Sequence, residues 1–194
     1  MVEQASSFRD RITGLGLGGP EVGNPPSKFA RVFAQGRALG WRTVAHAGEE
    51  GPAAYVAEAV DVLKVDRIDH GVHSEESPEL MARLAKSRVP LTVCPLSNVK
   101  LRVFPDLASH NLKRLLEAGL CVTVNSDDPS YFGGYMTGNF LETQRALGLS
   151  ADQIYVLARN AFTAAFLGEE ARARHLASLD DHWRRSGAAI PRSS

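Results

Sequence analysis

The chain has 194 residues, and its 22 Lys and Arg balance 22 Asp and Glu, so no net field gathers nucleic acid or an anionic membrane. That length builds one sizeable core but not two large ones, and a small neutral molecule is the expected partner. No apolar run is long enough to span a membrane and Met1-Val2-Glu3-Gln4 opens no signal peptide, which points to the cytoplasm.

Asp10 to Leu17 read as a first strand. They contain Gly14-x-Gly16-x-x-Gly19, a formal match to a dinucleotide fingerprint, but Pro20, Pro25 and Pro26 interrupt the helix that such a site needs. A glycine-rich loop at a strand end is the better reading. A helix is predicted from about Pro26 to Gly40, with Phe29, Val32 and Phe33 inward. Trp41 to Ala45 form the next strand, which runs into His46-Ala47-Gly48-Glu49-Glu50-Gly51. Pro52 suits the first turn of a helix whose Val56, Ala59, Val60 and Leu63 share a face.

Arg67 to Asp69 make a short strand ending in His70-Gly71-Val72-His73. Ser77-Pro78 caps a helix with Leu80, Met81 and Leu84 inward. Pro90 to Val93 form a strand ending at Cys94-Pro95-Leu96-Ser97-Asn98, and a helix with Leu112, Leu115 and Leu116 stops at Gly119. Val122-Thr123-Val124 then leads into Asn125-Ser126-Asp127-Asp128-Pro129, two carboxylates at a strand tip. Strand alternation would point them to opposite faces, although Asp128-Pro129 also serves simply to start a turn. Cys94 and Cys121, at the end of one strand and the start of another, read as buried free thiols. Ser150 with Gln153 makes a capping box for a helix through Ala158, with more helix toward Trp183. Residues 1–185 are taken as the folded portion and 186–194 as a flexible tail.

Strand and helix alternate about five times with short connections, the pattern of a parallel α/β sheet whose functional residues collect at the strands' C-terminal ends. His46, Glu49, His70, Cys94, Asp127 and Asp128 all fall at that edge. His46 and Asp127 offer an imidazole nitrogen and a carboxylate oxygen suited to zinc, which supplies a nucleophile near neutral pH by acidifying water. His70 is placed to hold or deprotonate that water and Glu49 to give a proton to the leaving side of a substrate. Spacing alone supports metal-assisted hydrolysis, with two convincing ligands where a catalytic zinc usually has three. His73, His110, His175 and His182 lie in predicted loops or helices and are read as solvent-exposed.

The strings His46-Ala47-Gly48-Glu49-Glu50-Gly51-Pro52, Arg67-Ile68-Asp69-His70-Gly71, Cys94-Pro95-Leu96-Ser97-Asn98-Val99-Lys100-Leu101 and Asn125-Ser126-Asp127-Asp128-Pro129 resemble the adenosine and adenine deaminase family of zinc-dependent (β/α)8 TIM barrels, the adenine branch above all. The resemblance runs from about Phe8 to beyond Leu167. It implies that His46 and Asp127 ligate one Zn2+, that Glu49 protonates the purine ring nitrogen next to the attacked carbon, and that His70 orients and deprotonates the water. It also implies that Asp128 accepts a hydrogen bond from the imidazole side of the purine, and that the Gly18-Gly19-Pro20 loop borders the substrate. The implied reaction converts adenine to hypoxanthine and ammonia; adenosine to inosine is the alternative substrate pair, and another metal-dependent amidohydrolase reaction the third.

The family's first strand carries a His-x-His pair that supplies two further zinc ligands, and this chain has none. The resemblance therefore covers a C-terminal part, the last five or so βα units, with activity expected only when N-terminal units are added. A partial barrel leaves sheet edges unpaired, so self-association or an N-terminal partner is expected there, and an inactive interaction module is the non-enzymatic alternative.

Overall fold

The computed structural model describes residues 2–187 and 189–191. Five parallel strands are hydrogen-bonded in chain order, β1 to β5. The chain divides inside the fourth of them into two compact units, Met1–Thr92 and Val93–Ser194.

The first unit opens with a short helix α1 (Val2–Ala5) and a 3-10 turn over Ser6–Arg11. Strand β1 covers only Gly14–Leu17, shorter than the run predicted from Asp10, because Asp10 and Arg11 are taken up by that turn. Gly14 allows the close approach of β1 to the second strand, β2 (Arg42–Ala47): a Cβ there would lie 2.7 Å from the Arg42 carbonyl oxygen. A 3-10 turn over Pro26–Phe29 leads into α2 (Ala30–Ala38), which buries Phe33 and leaves Phe29 and Val32 half-buried.

Strand β2 pairs in parallel with β1 on one side and with β3 (Arg67–His70) on the other. The register sets Ala47 opposite His70, so His46 and His70 reach the same end of the sheet. Between β2 and β3, Pro52 precedes α3 (Ala53–Glu58), which continues as a π-helical turn over Ala59–Leu63; Val56, Ala59 and Leu63 are fully buried and Val60 half-buried. The following helix α4 (Pro78–Ser87) starts as predicted: the Leu80 amide donates to Ser77 Oγ at 3.3 Å, and Leu80 and Leu84 are buried. Strand β4 (Leu91–Val93) pairs with β3 through Ile68 to Leu91 and Asp69 to Thr92.

In the second unit Pro95 stands in the first turn of a short helix, α5 (Pro95–Lys100), where the sequence suggested only a strand-end loop. Helix α6 (Leu112–Glu117) follows, with Leu112 and Leu115 buried and Leu116 half-buried. Strand β5 (Val122–Val124) lies beside the end of β4, its successor Asn125 donating a backbone N–H to Val93 O at 2.9 Å. All three β5 side chains are buried, and each Val contributes about 1.5–3 kcal/mol by leaving water. After a turn of helix, α7 (Pro129–Phe132), come α8 (Met136–Leu147), α9 (Ala151–Ala164) and α10 (Glu169–Arg185). The capping box of Ser150 and Gln153 forms in full.

Helix α9 is tied to β5 by Asn160, whose Nδ2 donates to Val122 O at 2.9 Å. It is tied to α10 by Tyr155, whose hydroxyl donates to Asp180 Oδ1 at 2.6 Å and whose ring packs on Trp183. Both cysteines are buried free thiols, as expected. The predicted tail over 186–194 falls partly outside the described residues, at 188 and 192–194. Among the described residues no helix is long and apolar enough to cross a membrane.

Candidate active site

His46 is the penultimate residue of β2 and half-buried; His70 ends β3 and is 2% exposed. Their rings meet edge to face with centroids 4.8 Å apart. The turn after β2 carries Glu49, 7% exposed, and sets its Oε1 3.3 Å from His70 Nδ1. One ligand atom from each of His46, Glu49 and His70 lies within 4.8 Å of the others. Two imidazoles and a carboxylate, on strand ends and a tight turn, form a donor set that suits zinc.

The tightness of this corner comes from glycine. Gly48 adopts φ +74°, and a Cβ on it would stand 2.4 Å from Val56 Cγ2. His70 itself has φ +65°, a conformation that non-glycine residues seldom hold and that concentrates at functional sites. Gly71, at φ +70°, continues the turn.

A pocket of about 200 Å³ opens beside His46, lined by Leu17, Gly18, Gly19, Pro20, Glu21, Asn24 and Phe29. Gly18 is exposed, and a Cβ on it would come within 3.5 Å of His46 Nε2. His46, Glu49, His70 and the Gly18 loop, each expected at a strand end, thus lie at one corner.

Glu21 stands at the same corner without being singled out by any sequence motif. This carboxylate is 5% exposed and accepts three backbone N–H groups from the Glu49 turn: Gly48 at 2.9 Å and Gly51 at 2.8 Å on Oε2, and Glu49 at 3.0 Å on Oε1. An acid directly after a Gly-Gly-Pro turn at a strand tip was the only signal in the sequence. His73 was expected to be exposed and is instead half-buried, its Nδ1 2.8 Å from Gly51 O. His110 was also expected to be exposed and is 1% exposed: Nε2 lies 3.2 Å from Asn98 Oδ1, Nδ1 accepts the Leu112 amide, and the ring packs on Phe104. His175 and His182 are exposed as expected.

In the second unit Asp127 and Asp128 follow β5, but not as alternating strand residues. The strand stops at Val124, and Asp127 takes φ +54°, so strand geometry does not decide which way the two carboxylates point. Asp127 is half-buried and Asp128 exposed. Asp128 stands at the N-terminus of α7, its carbonyl accepting the Tyr131 and Phe132 amides.

The chain is similar in sequence and in fold to known proteins. The family model described as adenosine deaminase matches residues 1–182. An adenine deaminase of Albidiferax ferrireducens is 60% identical over 178 residues, 92% of this chain and 52% of that protein. The crystal structure of an adenine deaminase from Arthrobacter aurescens superposes with a TM-score of 0.92 at 45% identity, over 94% of this chain and 56% of the other. An amidohydrolase from Burkhoderia ambifaria, crystallised with bound zinc, superposes at 0.85 with 27% identity, over 96% of this chain and 54% of its own. The chain therefore spans about half the length of the curated relatives it matches, and its parallel strand and helix alternation is part of a (β/α)8-type barrel. With a family model covering nearly its whole length, the chain belongs to the adenosine deaminase family.

Proposed function

We propose that this chain takes part in the zinc-dependent hydrolytic deamination of a purine at C6, adenine plus water giving hypoxanthine plus ammonia, and that it does so together with N-terminal units. The observation that carries the reading is the buried Glu49 and His70 pair, 3.3 Å apart beside His46. Relatives about 60% identical, described as adenine deaminases, favour adenine over adenosine.

In this reading His46 and Asp127 hold the zinc, with two further ligands supplied from outside these residues. The metal, when bound, would supply the acidified water that attacks the carbon. Glu49 delivers a proton to the ring nitrogen beside that carbon, so negative charge does not build up on the purine as the C6 bond forms. With Nδ1 of His70 on the Glu49 carboxylate, we assign its Nε2 to orienting the water and taking its proton. Asp128 accepts from the imidazole side of the base, and the Gly18 loop forms the wall of the pocket beside His46. We place the partner that completes the barrel, whether N-terminal units or a second copy, on the outer edges of β1 and β5, the terminal strands of the sheet.

The test is turnover of adenine and adenosine by the chain joined to the N-terminal half that its relatives carry. Release of ammonia from adenine with a kcat/KM well above that for adenosine is expected. A clear preference for adenosine, or turnover only of a non-purine amide, overturns the assignment.

A further inference from the structure

We propose that Glu21 is a positioning residue for Glu49, a buried clamp that fixes the turn from which the proton donor projects. The proposal rests on the reading of Glu49 as that donor.

All three partners of the Glu21 carboxylate are amides of the Glu49 turn, 27 to 30 residues further along the chain, and one of them belongs to Glu49 itself. A carboxylate that is 95% buried is costly unless it is fully hydrogen-bonded, and here the donors are fixed main-chain groups instead of mobile side chains. The turn is shaped to receive it. A Cβ on Gly51 would stand 2.6 Å from Glu21 Oε2 and 2.5 Å from Tyr55 Cδ2, so a larger residue there collides with both the acid and the ring. His73 holds the other side of the turn through Gly51 O, and Glu76 accepts the Ala53 amide at 3.0 Å. Of these three side chains, Glu21 is the one that accepts the amide of Glu49, at 3.0 Å.

The same short segment, Gly18 to Glu21, lines the pocket beside His46. One loop thus serves as a pocket wall and as the anchor of the donor. Misplacing a donor by a fraction of an ångström costs transition-state stabilisation more than ground-state binding, so the predicted signature is in kcat.

Glu21→Gln is the informative variant. One amide oxygen can still serve Gly48 and Gly51, which leaves the NH2 group facing the N–H of Glu49. In the full 194-residue chain we expect amide exchange across 48–51 to accelerate by about tenfold, and the exchange rate of the His70 ring C2 hydrogen to change, because that ring faces Glu49. Glu50→Gln, at an exposed neighbour, is expected to alter neither. In the deaminating protein Glu21→Gln is expected to lower kcat with KM within twofold of the parent.

Faster amide exchange with an unchanged His70 rate and unchanged kcat would make Glu21 a mere brace and overturn the proposal. Unchanged amide exchange would overturn it as well. If the parent deaminates no purine, the functional reading falls alone, since the two exchange measurements still decide whether Glu21 sets Glu49. Should Glu21→Gln fail to fold, Glu21→Asp, which keeps the charge and withdraws it by one methylene, is read out in the same way.

Discussion

Glu49 Oε1 stands 3.3 Å from Nδ1 of His70, with both side chains almost sealed from solvent. The contact joins a residue on a turn to one at the end of the neighbouring strand, and the parallel register that sets Ala47 opposite His70 brings them together. If this pair handles the protons of the reaction, Glu49→Gln keeps the shape and hydrogen-bonding capacity while removing the transferable proton. Its kcat for adenine is expected to fall by roughly 10²- to 10⁴-fold. Steady-state ammonia release checks this; a loss below about threefold would remove Glu49 from the proton path.

Gly48→Ala is expected to destabilise the fold by about 1–3 kcal/mol, because φ is +74° and the new methyl would stand 2.4 Å from Val56 Cγ2. Gly138→Ala, in the first turn of α8 with open space where the new Cβ would stand, is expected to raise stability by about 0.5 kcal/mol. Denaturant midpoints of the two variants, measured side by side, should therefore move in opposite directions.

Tyr155 supplies a pH-dependent term. Burial pushes its hydroxyl above the ordinary value of 10.0, and the hydrogen bond to Asp180 adds to the rise. A folded-state pKa above the unfolded one means that the folded chain holds its proton longer. The stabilisation is then complete below about pH 10 and is lost as pH rises from there through the folded-state value. Tyr155→Phe is expected to cost about 1–2 kcal/mol near neutrality and to narrow the gap to the parent in alkaline solution. Urea melts at pH 8 and above pH 10 test this, and a gap that widens with pH would refute it.

The sequence showed the strand ends because each is punctuated: β2 runs into a glycine turn, β3 into His70-Gly71, β4 into Pro95 and β5 into Pro129. Once those ends were placed, His46, Glu49 and His70 followed from parallel topology alone. What escaped depends on contacts between distant segments. Glu21 sits in a loop with no hydrophobic periodicity, and its role exists only because the Glu49 turn folds onto it. His110 read as a loop residue, yet Asn98 and Phe104 enclose it, which local composition does not encode. The alternation assumed for Asp127 and Asp128 failed because strand geometry stops at Val124, and the left-handed backbone of Asp127 breaks the count.

The turn after β2 has a further consequence. Its converging amides form the kind of concave, positively polarised nest that elsewhere cradles a phosphate, and here the anion is supplied by the chain itself, by Glu21. The nest is plugged from within. The Gly48, Glu49 and Gly51 amides are already taken, so phosphate or sulfate from solution must displace Glu21 to reach them.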